Sequence, residues 1–296
     1  MGAGRREAHY YDGVASPLKE RLFRFRNSHP AKAIIVNGKS WQYYANINRD
    51  PTLVLLPGGL GIAEAWFDCM LQWESDYRVI AISYPAVDSV REVAAAIQAV
   101  LQREGAKQVA LLGTSLGGYV AQALIREHPD LFTHVILGNT GVATPEYHRK
   151  LETQYPIAKL FINRYAFGLI KFAAKRKISE SLGLLNGEDR IFWKAYMTDV
   201  IDNHYSPGHM RTQFMVALDF ARNHVSIAID PIAGKERILI IEADDDNAIP
   251  KDRRDKLKGQ FPEAQVKTFH RGGHLLPVTQ RDEYVRTIGD FLKSSQ

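Results

Sequence analysis

Short apolar runs rich in β-branched residues recur along this 296-residue chain, most of them separated by segments with helical periodicity. This alternation constrains the fold more than any other feature. A strand covered on both faces reads as a continuous apolar run, and parallel strands need long crossovers, usually helices, to join them. The runs at Ala33–Val36, Trp41–Ala45, Thr52–Leu56, Arg78–Tyr84, Gln108–Leu112, His134–Gly138, Arg237–Glu242 and Gln265–Phe269 predict an α/β fold with a mostly parallel sheet. Helices are expected at Ala63–Glu74, Val90–Glu104, Leu116–His128, Lys251–Phe261 and Arg281–Leu292, on both faces of that sheet. Gly105 suits a C-cap, and Pro129 stops the third helix. Asn37-Gly38-Lys39-Ser40 between the first two runs is a hairpin signal, so the sheet opens with an antiparallel pair.

One stretch departs from the alternation. From about Thr144 to about Ile229 no convincing strand appears, and helical patterns follow one another over Glu146–Lys175, Asp189–Asn203 and Gly208–Asn223. A helical insertion between two core strands is expected to sit over the carboxyl edge of the sheet, where ligands bind in open α/β sheets. The division predicted is a core of residues 1–143 and 230–296 with a helical cap at 144–229.

Composition narrows the functional classes. At 45% apolar and 24% charged the chain is an ordinary globular sequence, and α/β folds often reach this length around one core. A single cysteine, Cys69, excludes an internal disulfide and a multi-cysteine zinc site. Net charge is 38 − 33 = +5, which does not argue for nucleic acid but allows weak association with an anionic membrane surface or a protein partner. Such a surface would use Lys159, Arg164, Lys171, Lys175, Arg176 and Lys177, which are interleaved with apolar residues. No window approaches 18 uninterrupted apolar residues, so no transmembrane helix is expected. Charge and tyrosine follow Met1–Arg6 where a signal peptide would have an apolar run, and Arg6 spoils a myristoylation motif at Gly2. A cytoplasmic location is the expectation.

The chemistry is concentrated in four places. Gly113-Thr114-Ser115-Leu116-Gly117-Gly118 follows an apolar run and precedes a helical pattern, the setting of a nucleophile elbow. Side chains two before and two after the central residue of so tight a turn would collide, hence glycine at 113 and 117 around Ser115. A serine hydroxyl needs a base, itself oriented by an acid. Of ten histidines, His274 stands out, since it follows Gly272-Gly273 beyond the last predicted strand. His270, which ends that strand, is expected to pack or cap, and His128, His134, His148, His204, His209 and His224 read as surface or core residues. An acid should leave the preceding strand, which runs into Asp244-Asp245-Asp246. These three carboxylates lack calcium-loop spacing, so no metal is expected. An oxyanion needs N–H donors. Leu116 follows the nucleophile, and Pro57-Gly58-Gly59-Leu60-Gly61 offers Gly59 first and Leu60 second.

With the elbow, the acid turn Asp244–Pro250 and the Gly272-Gly273-His274 turn in register, the chain from Thr52 to its end resembles the α/β-hydrolase fold superfamily. Alignment on Pro250, which closes the acid turn in many members, implies Asp246 as the acid and the triad Ser115, Asp246 and His274. Serine rather than aspartate at the elbow argues against dehalogenase and epoxide hydrolase chemistry. Arg78–Pro85 and Leu112–Gln122 further resemble the maspardin branch, associated with protein binding and a degraded triad, although this chain keeps both acid and histidine. Pro57 stands where the superfamily commonly has histidine in its oxyanion motif. The resemblance implies a serine hydrolase acting on a carboxylic ester or related acyl compound without a cofactor, the alternative being a non-catalytic adaptor. The expected acyl pocket draws on Leu60, Trp193, Tyr196, Met197, Phe214 and Leu275.

Overall fold

The computed structural model describes residues 8–47, 50–107, 109–161, 167–223 and 237–294. Helix α1 (Pro17–Ser28) precedes the hairpin β1 (Lys32–Val36) and β2 (Lys39–Ala45). Then come β3 (Thr52–Leu56), α2 (Phe67–Trp73), β4 (Arg78–Ile82), α3 (Val90–Glu104), β5 (Val109–Thr114), α4 (Leu116–Glu127) and β6 (Phe132–Gly138). Among the described residues four helices follow without a strand: α5 (Pro145–Phe161), α6 (Phe167–Ser181), α7 (Gly187–Asp199) and α8 (Pro207–Asn223). The chain closes with β7 (Ile238–Ala243), α9 (Lys251–Gln260), β8 (Gln265–Phe269), α10 (Leu276–Thr279) and α11 (Arg281–Lys293).

The strands form one sheet in the order β1-β2-β4-β3-β5-β6-β7-β8. Strands β3 to β8 are mutually parallel, whereas β2 runs antiparallel to both β1 and β4. Val36 pairs with Lys39, leaving Asn37 and Gly38 as a two-residue turn. Both turn residues have positive φ, 51° and 74°, as a primed turn requires. The chain places β4 on one side of β3 and then crosses to β5 on the other. The loops after β3 and β5 therefore diverge at their carboxyl ends, and that is where the sheet leaves a crevice.

Alternation along β3 shows how the core divides. Val54 and Leu56 face a layer containing α3, α4 and α8, while Leu53 and Leu55 face α1, α2, α7 and α11. All four are fully buried, so this strand is apolar on both faces. Helix α8 lies over the loops after β3 and β4. Thr212 Oγ1 accepts the Val87 N–H at 2.9 Å and donates to Pro85 O at 2.9 Å, and Asp219 accepts the Val90 N–H at 2.9 Å. Among the described residues no helix is long and apolar enough to cross a membrane.

Several boundaries differ from those expected. Ala63–Trp66 is a 3-10 turn rather than the start of α2. The run at Arg78–Tyr84 leaves the ladder after Ile82, because the Tyr84 N–H donates to Gly61 O at 2.8 Å. The pattern at Glu146–Lys175 contains two helices, α5 and α6, and that at Asp189–Asn203 ends in a π turn at Val200–His204. The expected cap boundary at 229/230, His224, Arg164 and Gln108 fall outside the described residues. Helix α1 was not expected, yet its signals are local: Ser16 accepts the Leu18 N–H at 3.2 Å as N-cap, Pro17 opens the helix, and Leu18, Leu22 and Phe25 form its buried stripe.

Candidate active site

Ser115 ends the β5 connection and immediately precedes α4 with φ 52° and ψ −114°. A non-glycine residue in so sparsely populated a region costs about 1–3 kcal/mol and persists only where its surroundings impose it. Here the Ser115 N–H donates to Gly138 O at 2.9 Å, and its carbonyl accepts from Thr140 Oγ1 at 2.9 Å and the Gly118 N–H at 3.0 Å. A Cβ on Gly113 would lie 2.3 Å from Gly117 O, and one on Gly117 would lie 2.4 Å from Leu56 O. Both glycines are thus required by backbone contact. Leu116 is the first residue of α4, so its N–H has no acceptor within the helix and faces the region beside Ser115.

His274 reaches Ser115 from the loop after β8. Its Nε2 stands 3.0 Å from Ser115 Oγ, and its Nδ1 stands 2.9 Å and 3.1 Å from the two oxygens of Asp246. The carboxylate accepts, so Nδ1 carries the ring hydrogen and Nε2 is free to accept from the serine hydroxyl. The Asp246 side chain is fully buried and the His274 ring about one-quarter exposed, at 0% and 24%. Burial pushes the Asp246 carboxyl up. The His274 hydrogen bond and charge, Asn139 and the Ala248 N–H outweigh it and hold the group below the usual carboxylate range.

The three adjacent aspartates have separate partners. Asp246 Oδ1 accepts from the backbone N–H groups of Ala248 at 2.8 Å and Ile249 at 3.1 Å. Asp245 Oδ1 accepts the Gly273 N–H at 2.7 Å, and Asp244 accepts the Arg271 N–H at 3.0 Å. The expectation for His270 is corrected. Its side chain is 86% exposed and neither packs nor caps, and its Nδ1 lies 2.7 Å from Asp244 Oδ2. With Gly273 at φ 62°, the segment from His270 to His274 is a turn tied down by all three carboxylates. Among the described residues no cluster of His, Cys, Asp or Glu could hold a metal ion.

Asn139, just past β6, was not anticipated. It is 1% exposed with φ 43°, and its Nδ2 donates both to Asp246 Oδ2 at 3.1 Å and to Gly273 O at 3.2 Å. One amide thereby joins the acid to the histidine turn. A polar residue at a strand's carboxyl end with tolerance for positive φ was the available signal.

On the opposite side, the loop Pro57–Gly61 approaches Ser115. A Cβ on Gly58 would lie 3.4 Å from Ser115 Cβ and 4.0 Å from its Oγ, so Gly58 packs on the nucleophile and Gly59 follows it in the loop. Leu60 and Leu275 are half-buried on the two loops that carry Gly59 and His274. Both pack against the buried layer that contains Trp193, Tyr196 and Met197, three of the other residues expected in an acyl pocket. Trp193 and Tyr196 fill the interior against Phe67 and Phe192, and Met197 is buried in the same layer. Phe214 is half-buried against Tyr155, with ring centroids 6.0 Å apart. In the basic run, Lys175 pairs with Asp202 at 2.5 Å and Arg176 with Glu180 at 3.1 Å, and Lys171 donates to Asp202 O at 2.8 Å.

Comparison with known proteins matches this geometry to a family. A profile described as alpha/beta hydrolase fold matches residues 51–279. The uncharacterized hydrolase YugF of Bacillus subtilis (strain 168) is 22% identical over 281 residues, covering 89% of this chain and 98% of that protein. Among solved structures, an esterase from Exiguobacterium antarcticum superposes with a TM-score of 0.66 at 18% identity, covering 86% of this chain and 96% of its own. A serine hydrolase from a Cycloclasticus bacterium gives a TM-score of 0.68 at 18% identity, covering 90% and 99%. The sheet order, the strained turn after β5 and a family match over more than half the sequence agree: the chain belongs to the alpha/beta hydrolase fold family.

Proposed function

We propose that this protein is a serine hydrolase that cleaves a carboxylic ester through an acyl-enzyme. The observation that carries the reading is the relay from Ser115 Oγ to His274 Nε2 at 3.0 Å and from His274 Nδ1 to Asp246 at 2.9 Å. Ser115 Oγ attacks the acyl carbon as His274 Nε2 takes its proton, and Asp246 holds the ring in that tautomer and stabilises the imidazolium. The N–H groups of Leu116 and Gly59 receive the negative charge on the carbonyl oxygen. His274 then gives its proton to the departing alcohol oxygen. A water molecule, deprotonated by the same nitrogen, attacks the acyl-enzyme, and the proton returns to Ser115 as the carboxylic acid leaves.

The two solved structures cited above, titled an esterase and a serine hydrolase, are in keeping with this chemistry. The lone cysteine, Cys69, is buried and suits a cytoplasmic protein. A maspardin-like adaptor on a vestigial scaffold has no need of a closed relay, and the two contacts weigh against it. Initial rates on short-chain 4-nitrophenyl esters test the proposal. Ser115→Ala is expected to lose about 10³-fold or more in turnover with an unchanged circular dichroism spectrum. Retention of activity to within about tenfold would end the serine-hydrolase reading.

A further inference from the structure

The first turns of α8 present two unused hydrogen-bond donors to the loop that carries Gly59. A Cβ on Gly59 would lie 2.7 Å from Gln213 Nε2 and 2.8 Å from its Cδ, so the amide of Gln213 rests on Gly59 itself. One helical turn earlier, His209 Cδ2 lies 3.6 Å from where a Cβ on Gly61 would be. Residues four apart share a helix face, which sets both groups along the same loop. The Gln213 side chain is exposed, and no hydrogen bond occupies its amide among the described residues.

The state of His209 follows from its neighbours. Its Nδ1 accepts the backbone N–H of Ser206 at 3.3 Å and lies 2.8 Å from Ser206 Oγ. A ring nitrogen that accepts a backbone N–H bears no hydrogen, so the neutral ring carries its hydrogen on Nε2, the atom bonded to Cδ2. Burial, with a smaller contribution from His204, lowers the proton affinity of this ring and keeps it neutral. Its free donor thus sits on the ring edge turned to the Gly61 side of the loop.

We propose that His209 Nε2–H and the Gln213 amide form a polar recognition subsite. It selects acyl groups that carry a second hydrogen-bond-accepting oxygen, a ketone or carboxylate, within a few bonds of the scissile carbonyl. The inference rests on the serine-hydrolase reading. A half-buried donor left unpaired, as His209 Nε2–H would be, favours a ligand that pairs it over one of the same shape that cannot, and the exposed Gln213 amide adds a second donor on the same side of the loop. An unbranched alkyl acyl chain would leave the His209 donor without a partner, whereas a keto-acyl chain supplies the acceptor.

The test compares 4-nitrophenyl 4-oxopentanoate with 4-nitrophenyl pentanoate, which differ by one ketone oxygen, each rate divided by its rate in buffer. The wild-type protein should favour the keto ester in kcat/KM by about fivefold or more, in line with a net hydrogen bond. Gln213→Leu, which removes the donor, should lower kcat/KM for the keto ester more than for pentanoate and so erase most of that preference. His209→Phe, at a second position, should act in the same direction. Hydrolysis of both esters without preference, or an equal effect of the substitutions on both, would overturn the subsite while leaving the serine-hydrolase reading standing. Failure of the wild-type protein to hydrolyse either ester would remove that reading and the subsite together.

Discussion

Asp246 receives four hydrogen bonds, from His274 Nδ1, Asn139 Nδ2 and the backbone N–H groups of Ala248 and Ile249. The assignment of roles among three consecutive carboxylates rests on this. Asp246→Asn keeps the size but favours the wrong histidine tautomer, so a turnover loss on the order of 10⁴ is expected. Asp244→Asn and Asp245→Asn retain an oxygen to accept from Arg271 and Gly273, and should each lose less than about tenfold, or roughly 1.4 kcal/mol. A crippling Asp244→Asn beside an active Asp246→Asn in steady-state assays would reverse the assignment. The same carboxylate sets a pH dependence. Its pKa is lower in the folded chain than in the unfolded one, so its stabilising contribution is complete above about pH 4 and is lost as pH falls through the lower, folded value. Urea midpoints should therefore decline as pH falls below about 4, and less steeply in Asp246→Asn. Ser115 and His274 were legible in the sequence because glycines mark their turns. Asn139 was not, since its amide works through residues more than one hundred positions away. Asn139→Gly tolerates the positive φ while removing both bonds, and is expected to lower kcat by roughly 10- to 100-fold with little change in KM.

The turn from β5 into α4 is the element on which the site depends, and its sterics come from within the turn and from the end of β3. Gly113 meets Gly117 O, and Gly117 meets Leu56 O and Pro57 O, so a methyl group at either position displaces backbone rather than a flexible side chain. Gly117→Ala is expected to destabilise the fold by roughly 1–3 kcal/mol or more and to lower activity in parallel, as urea denaturation and ester assays would show. An unchanged midpoint would mean that the turn can relax. The contact of Gly113 with Gly117 O joins residues of one turn, so sequence spacing revealed it, whereas the contact of Gly117 with Leu56 O at the end of β3 was not legible that way. The hairpin was equally legible through Asn37-Gly38. Strand and helix ends were less so, because partners distant in sequence decide them. The Tyr84 N–H bonds to Gly61 O instead of continuing β4.

At the scale of the whole molecule, residues 8–28 fasten α7 to the core, an arrangement that sequence periodicity does not reveal. Arg26 on α1 pairs with Glu64 at 2.7 Å and Asp199 at 3.3 Å, and Tyr11 donates to the same buried Asp199 at 2.8 Å. Asp199 is fully buried, so Arg26→Ala leaves a carboxylate without its guanidinium and is expected to cost about 3–5 kcal/mol in thermal or urea unfolding. These contacts join positions 38 and 173 residues apart, which is why composition and spacing were silent about them. Elements far apart in the chain meet in the same way at Ser115, Asp246 and His274, and the function proposed here depends on that meeting. Reaction with a fluorophosphonate probe, followed by intact mass and peptide mapping, tests it most directly. The account predicts one adduct, on Ser115, absent in Ser115→Ala and slowed by about 10³-fold or more in His274→Ala. No adduct on the folded wild-type protein, or one on another residue, would contradict it.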